Sequence, residues 1–367
     1  MSGKRISIKD VSALAGVSAA TVSNVFSGTK PVNAALEARV RDAAAQLGYQ
    51  PDRAASQLRS GRTRVIVVLV PDLRDTFFAS LVTRIESLAQ DEGYDVVVAS
   101  SRDDRGVEAS RLAALLAWRP AGILAVPCSN EVPAALARGP GRPPVVLVDR
   151  VSLPSPFDTV TLDNRDAGEI AARHLVDQGH RDILLVASRM DVAPVAARLE
   201  AAAEHIERET GHRATILELG SSVERGAALC ARWLERHSVP DAVIAATNVT
   251  TLAVLTAFAQ FRIAIPDRSS LVAFDDDAWM GARNTGLTAV RQPVDAMAEA
   301  AWARLLVRMR ESGEAPPVSI VHEAELIVRA SVAPRERPSM LVKPKAQAQA
   351  KAPPRTPRGT APLPKVH

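Results

Sequence analysis

Within ten positions the chain places Ser18, Thr21, Ser23, Asn24 and Ser27, all short hydrogen-bonding side chains, beside the small residues Ala19 and Ala20. An asparagine amide can pair bidentately with an adenine edge, hydroxyls can donate to phosphate oxygens, and alanines let a backbone approach a groove closely. Val22, Val25 and Phe26 fall at i, i+3 and i+4 and predict the inward face of a helix, with Ala20, Asn24 and Ser27 opposite. Ser18 is placed to cap that helix, Gly16 permits a tight turn before it, and Ser7 with Asp10 three residues on fits the capping box of an earlier helix. Helix-turn-helix proteins read bases from the start of such a helix. An ordinary three-helix bundle with a small polar face would show the same pattern.

No comparable set suggests catalysis. The seven histidines, His174, His180, His205, His212, His237, His322 and His367, are scattered, and no GxSxG, GxxxxGK[ST] or GxGxxG occurs. A dehydrogenase-like enzyme loses its glycine fingerprint, so neither an enzyme nor a cofactor is expected. The two cysteines, Cys128 and Cys230, lie far apart with no CxxC, so neither a disulfide scaffold nor a metal site is expected.

The elements that must carry these residues divide by pattern. Residues 1–50 show helical periodicity with no strand-like run. Residues 51–64 hold Pro51, Asp52 and Gly61, which suit a helix of about two turns, too short to be stable alone; Arg59, Arg62 and Arg64 close the segment with charge for phosphates. Residues 65–333 alternate helical stretches with apolar runs at 65–70, 95–100, 122–127, 145–149, 158–163, 182–187, 214–219, 242–247 and 270–275, which predict parallel strands buried on both faces. Residues 334–367, rich in Pro, Ala and Lys, read as a disordered basic tail. Ten basic against four acidic side chains in residues 1–64 give +6, and eight against one in 334–367 give +7. With a net charge of +4, the middle carries 4 − 6 − 7 = −9. Two basic ends point to a polyanion. With neither a leader-like apolar stretch nor a membrane-length run in the sequence, the expected setting is the cytoplasm, at the nucleoid.

Longer words carry a resemblance. The string SIKDVSALAGVSAATVSNVFSGTKPVNAALEARVRDAAAQLGYQPDRAASQLRSGRT resembles the head of the LacI/GalR family of bacterial transcription regulators, on KDV at Lys9–Val11, AGVS at Ala15–Ser18, TVS at Thr21–Ser23, LGYQP at Leu47–Pro51 and the segment Ala54–Leu58. VPDLRDTFFASLV (70–82), VVLVDR (145–150), VTLDNRDAGEIAARHLVDQGHRDI (160–183), PDAVIAATN (240–248), VAFDD (272–276), LTAVRQP (287–293) and ELIVRAS (325–331) resemble the rest of that family. The resemblance implies an α/β fold class overall: an all-α helix-turn-helix head and hinge helix, then a two-lobed α/β domain like the periplasmic binding proteins. It implies base-reading positions at Ala19, Ala20 and Asn24, phosphate contacts from Ser18, Thr21 and Ser23, and hinge contacts from Ala55, Leu58 and Arg59, with Leu58 as the minor-groove wedge. Asn24 stands where many members carry Arg, which shifts the expected preference from guanine to adenine.

The same resemblance implies that the chain crosses between lobes near Asp163, Gln292 and Glu323, and that Phe77, Asp149, Arg198, Asn248, Asp275 and Trp279 line the cleft. Such a set suits a polyol: carboxylate and amide oxygens accept hydroxyl protons, the guanidinium donates, and an aromatic ring offers an apolar face. Asp149 and Asp275 would equally serve as helix caps, Phe77 and Trp279 as core. The sequence departs from the family at Thr76 (usually Pro), at Ala201 and Ala202 (usually Gly and an aromatic), and at Val249 (often acidic). Asp163, Asn164 and Gly168 read as structural. The expected protein is a homodimeric regulator, a repressor in most such families, with a pseudo-palindromic double-stranded operator and a small-molecule effector of the carbohydrate class. The alternative is a constitutive or architectural DNA-binding protein. Prolines throughout the tail exclude a tetramerising heptad helix there.

Overall fold

The computed structural model describes residues 6–27, 30–49, 63–137, 139, 141–151, 154–310 and 315–335. Ala55, Leu58 and Arg59, with the predicted hinge helix, lie outside the described residues, as does all of the tail beyond Arg335.

Three helices form the head: α1 (Ile8–Ala15), α2 (Ala19–Ser27) and α3 (Ala34–Leu47). The Asp10 carboxylate accepts the Ser7 amide at 2.8 Å and the Ser7 hydroxyl at 2.7 Å, tying down the start of α1. Gly16 ends α1 with φ +62°, which a side chain would resist. Arg39 of α3 donates to the Ala15 carbonyl at 2.6 Å, satisfying an orphan acceptor at the end of α1. Val11, Ala15, Val22, Val25, Val40, Ala43 and Ala44 close a small core between the three helices.

Beyond the head come two lobes, each built on a six-stranded sheet. In the first lobe, β1 (Val65–Val70), α4 (Thr76–Asp91), β2 (Asp95–Ser100), α5 (Arg105–Leu116), β3 (Gly122–Ala125), β4 (Val145–Val148) and β5 (Asp158–Leu162) follow in chain order. The second lobe holds α6 (Asn164–Asp177), β6 (Ile183–Ala187), α7 (Ala193–Thr210), β7 (Thr215–Glu218), α8 (Val223–Leu234), β8 (Ala242–Ala245), α9 (Asn248–Gln260), β9 (Ser270–Phe274), α10 (Ala278–Gly281) and β10 (Thr288–Arg291). The chain then returns through α11 (Val294–Arg310) and β11 (Ser319–His322) to the first lobe and ends in the second with β12 (Glu325–Ile327). The sheet orders are β11-β5-β4-β3-β1-β2 and β12-β10-β9-β8-β6-β7. Passages between the sheets thus fall at Asp163, at Gln292–Pro293 and at Glu323–Ala324.

All nine apolar runs form strands, and seven are wholly or almost wholly buried because helices cover both sheet faces. One expectation fails in detail: the strands β2 and β7 are sheet edges with exposed positions. Three further strands lie outside the nine runs, the central β10 and the edges β11 and β12, and β12 pairs antiparallel with β10. The short half-exposed strands β11 and β12 lack a continuous apolar run, and only pairing with β5 and β10 defines them. Among the described residues no helix is long and apolar enough to cross a membrane.

Candidate ligand cleft and nucleic-acid interface

Residues that follow the C-terminal ends of strands in both sheets meet where the lobes meet. Asp149 follows β4 at φ +62° and Asp275 follows β9 at φ +80°, both left-handed for residues with side chains. Such strain is held only where the surroundings over-determine it. The Asp275 carboxylate accepts the Asn248 amide at 2.9 Å and the Gln292 side-chain amide at 2.6 Å, so it anchors the first turn of α9 and the lobe crossing together. It therefore serves the start of α9, the helix that precedes β9, and not the helix that follows its strand, where Asp277 holds the N-cap position of α10.

Arg198 on α7 is 4 % exposed, and its placement is fully specified. Its Nε donates to Asn164 Oδ1 at 2.8 Å, its Nη1 to the Ala246 carbonyl at 3.0 Å, and its guanidinium carbon sits 4.7 Å from the centre of the Phe274 ring. Burial pushes the guanidinium below its usual range, while Asp275, Asp149 and Asp75 push it back. Burial raises the Asp149 carboxyl, opposed by Arg198 and Arg150. Asp75, the N-cap of α4, is pushed up to about 7 by burial and by Asp275 across the cleft. Buried charges of both signs from both lobes thus share one cluster.

A cavity of about 260 Å³ opens beside it, lined among others by Asp75, Phe78, Arg150, Val195, Thr247 and Asn248. Asp149 borders a second hollow of about 300 Å³ next to Asp163, Asn164 and Pro194. Asp149 Oδ1 and Asn248 Oδ1 are buried and accept no hydrogen bond among the described residues. Asn248 Nδ2 is already committed, donating to Thr76 Oγ1 at 3.2 Å.

Four of the six expected pocket residues line neither hollow: Arg198 and Asp275 are held in the buried cluster, and Phe77 and Trp279 pack into the lobe cores. Phe77 packs edge-on against Phe78 in the core of the first lobe, while Phe78 lines the cavity and lies under the Arg150 guanidinium at 5.3 Å. Successive helical residues point about 100° apart, so only one of the pair can face the cleft. Trp279 packs against the core of the second lobe, and its indole N–H donates to Asp277 at 3.2 Å. It is absent from the walls of both hollows. Ala202 is fully buried in the core of the second lobe and Ala201 nearly so, so the lost aromatic does not widen the cavity. Asp75, Phe78 and Arg150 were missed by the sequence reading, although each neighbours a residue that it singled out, and Asn164, read there as structural, holds Arg198 in place.

In the head, Ser18, Ala19 and Ala20 are exposed at the start of α2, and Thr21, Ser23 and Asn24 are half-buried. Ser18 Oγ accepts the Thr21 amide at 3.0 Å, as a cap should. Val22 and Val25 turn into the three-helix core, which leaves the small polar face outward. Among the described residues no group of His, Cys, Asp or Glu could hold a metal ion.

Comparison with known proteins agrees with both halves. Residues 7–52 match the bacterial regulatory proteins of the lacI family, and residues 172–332 match a periplasmic binding protein-like domain. The transcriptional regulator PtxS of Pseudomonas putida is 33% identical over 335 residues, covering 90% of this chain and 97% of its own. The lac repressor dimer, solved bound to operator and the anti-inducer ONPF, superposes with a TM-score of 0.78 at 26% identity, covering 90% of this chain and all of the other. The regulator CelR, solved in complex with cellobiose, does so with a TM-score of 0.65 at 27% identity, over 89% of this chain and all of the other. Head, sheets and sequence together make this chain a member of the lacI family of bacterial regulatory proteins, a DNA-binding transcriptional regulator with a two-lobed domain like those of periplasmic binding proteins.

Proposed function

We propose that the protein is a homodimeric repressor whose affinity for a pseudo-palindromic operator is set by a sugar or sugar derivative bound between its lobes. The observation that carries the effector reading is the buried interlobe cluster with two unsatisfied acceptors, Asp149 Oδ1 and Asn248 Oδ1, beside the cavity. Hydroxyl donors would satisfy both, and Arg198 would hold a ring or carboxylate oxygen. Phe78 replaces Phe77 as the apolar wall, and Asp75 and Arg150 join the set. In the head, Asn24 reads a base, Ala19 and Ala20 pack on base edges, and Ser18, Thr21 and Ser23 contact phosphates. Ala55, Leu58 and Arg59 belong to the hinge that meets the minor groove. Lobe rotation changes the spacing of the two hinges in the dimer, coupling effector to DNA by about 1 to 3 kcal/mol.

The test begins by selecting operators from random duplexes with the full-length chain, then measures binding while titrating a panel of mono- and disaccharides and sugar acids. An effector is expected to shift operator affinity in the wild type and to leave Asn248→Ala and Arg198→Ala unmoved. Indifference of the wild type to the whole panel would favour the constitutive reading. Asn24→Ala should relax preference at one base pair per half-site by about 1 to 3 kcal/mol; a uniform loss at all positions would move Asn24 to the phosphates.

A further inference from the structure

We propose that Asn130 is a positioning residue that caps the Arg198 helix from the opposite lobe, and that with Thr76 it clasps the lobes together. Helix α7 starts at Ala193 after Val192, whose side chain offers no acceptor, so its first amides need a partner from outside. Asn130 supplies one. Its Oδ1 accepts the Ala193 amide at 2.8 Å, and its Nδ2 donates to the Asp191 carbonyl at 2.8 Å. Both ends of one side-chain amide are thus spent, in opposite roles, on two residues of the other lobe that flank Val192. Aspartate could accept but not donate, and alanine could do neither.

The loop that presents Asn130 is itself fixed. Glu108, 3 % exposed on α5, accepts the Cys128 amide at 2.7 Å. A shift in the first lobe is therefore handed to the start of α7, and through its rigid turns to Val195 on the cavity wall and to Arg198.

Near α4 lies a second clasp. The Thr76 hydroxyl donates to Asp277 Oδ2 at 2.8 Å and accepts from Asn248 Nδ2 at 3.2 Å, while Trp279 Nε1 donates to the same Asp277 oxygen at 3.2 Å. Asp277 precedes α10 yet makes no side-chain cap bond of its own, because its carboxylate is turned to Thr76 and Trp279. Proline, the residue usual at position 76 in the resembling family, could make neither interlobe bond. The departure at Thr76 and the half-buried Trp279 thus acquire one common explanation.

The part given to Arg198 rests on the proposed effector cleft, but the test reads lobe geometry alone and needs no effector. Amide exchange in the full-length protein should quicken about fivefold at Ala193, the amide that the Asn130 side chain holds, in Asn130→Ala, as expected for loss of a cap. Asn130→Asp, which keeps the acceptor, should retain the protection at Ala193. The Asn130→Ala/Thr76→Val double variant should show a larger radius of gyration by small-angle scattering than wild type, with both sheets still protected from exchange. Unchanged exchange at Ala193 in Asn130→Ala, or an unchanged radius in the double variant, would overturn the proposal. Should Asn130→Ala lose protection throughout both lobes, the decision passes to Asn130→Asp combined with Thr76→Val: scattering like the wild type's overturns the clasps. A chain that fails to respond to any sugar leaves these readouts where they stand.

Discussion

A Cβ placed on Gly168 would lie 1.8 Å from the carbonyl oxygen of Arg198, so α6 and α7 touch backbone to backbone at the residue that anchors the cleft. Gly168→Ala must push α7 away and stretch the 2.8 Å bond between Arg198 and Asn164 at the start of α6. We expect a loss of about 1 to 3 kcal/mol in urea unfolding, together with weakened ligand response; wild-type stability would show that the helices yield freely. Asp75 offers a test by pH. Burial, then Asp275, raise its carboxyl to about 7, against about 3.9 in an unfolded chain. Between those values the folded chain holds a proton that the unfolded chain releases, so stability falls as pH rises through the window. From about pH 6 to 8 the decline should amount to about 1 kcal/mol, and Asp75→Asn, which keeps an acceptor for the Phe77 amide, should remove most of it. An unaltered pH slope in thermal melts would show that Asp75 does not titrate there. These positions also mark how far the residues could be read in advance. Asp149, Asn248 and Asp275 could be singled out because each stands near a strand end and in a family word, whereas Arg198, within α7, stands in neither and came from the resemblance as a whole. The choice between Phe77 and Phe78, and the entry of Asp75 and Arg150, depend on helix rotation and on a second lobe far away in sequence.

At the scale of elements, α11 is the strut of the first lobe. Its Arg304 and Arg308 converge on Asp158 at the start of β5, at 2.8 and 2.6 Å, and that carboxylate also accepts the Val318 amide at 2.8 Å. Burial raises the Asp158 carboxyl, but the bonds from Arg308, Val318 and Arg304 outweigh it and hold the group below the usual range. A lowered folded value means stability that is complete above the unfolded value of about 3.9 and is lost as pH falls through it. Asp158→Asn should cost about 3 to 5 kcal/mol in urea at neutral pH, because two partly buried guanidinium groups lose the carboxylate that balances their charge. It should also blunt the acid-induced loss below about pH 4; equal acid sensitivity in variant and wild type would remove Asp158 from the account. Most central strands were legible from their Val/Ile/Leu runs, since burial on both faces leaves no room for alternation; β10, four residues long with Thr and Arg at its ends, was not. The edges β11 and β12 were not, because half of each faces water and its identity as a strand comes from a neighbour.

Taken whole, the molecule joins its two sheets by three passages, each only a few residues long. Links so short suit a rotation of one lobe against the other, the motion that the proposed coupling of effector to operator uses. Their positions were legible through the family words at 160–183, 287–293 and 325–331, and the sheet orders were not, since strand order is set by crossovers that leave no local pattern. At the far end Arg335 is tied down: its amide donates to the Gln178 carbonyl at 2.8 Å and its guanidinium to that of Arg268 at 2.9 Å. Removing residues 336–367, which carry seven basic and one acidic side chain, or +6, should therefore spare the folded lobes. It should also flatten the dependence of nonspecific DNA affinity on salt. An unchanged slope of log affinity against log salt would mean that the tail makes no phosphate contacts.

The return of the chain to its first lobe also bears on how the protein is made. Met297, Ala298, Ala301, Trp302 and Leu305 of α11 belong to the same core as Ile66, Val68 and Phe78, so the first lobe lacks part of its interior until residues past 305 have left the ribosome. The head needs only residues 6–49, and most of the second lobe lies between 164 and 291. Synthesis should thus yield a DNA-reading head long before the lobe next to it can close, leaving an apolar sheet face open for the translation of about 140 residues. A ribosome-arrested chain of residues 1–292, followed by an unstructured linker long enough to fill the exit tunnel, is expected to be cut by protease within 65–162 and resist it within 164–291; protection of both stretches would mean that the first lobe closes without its last helix.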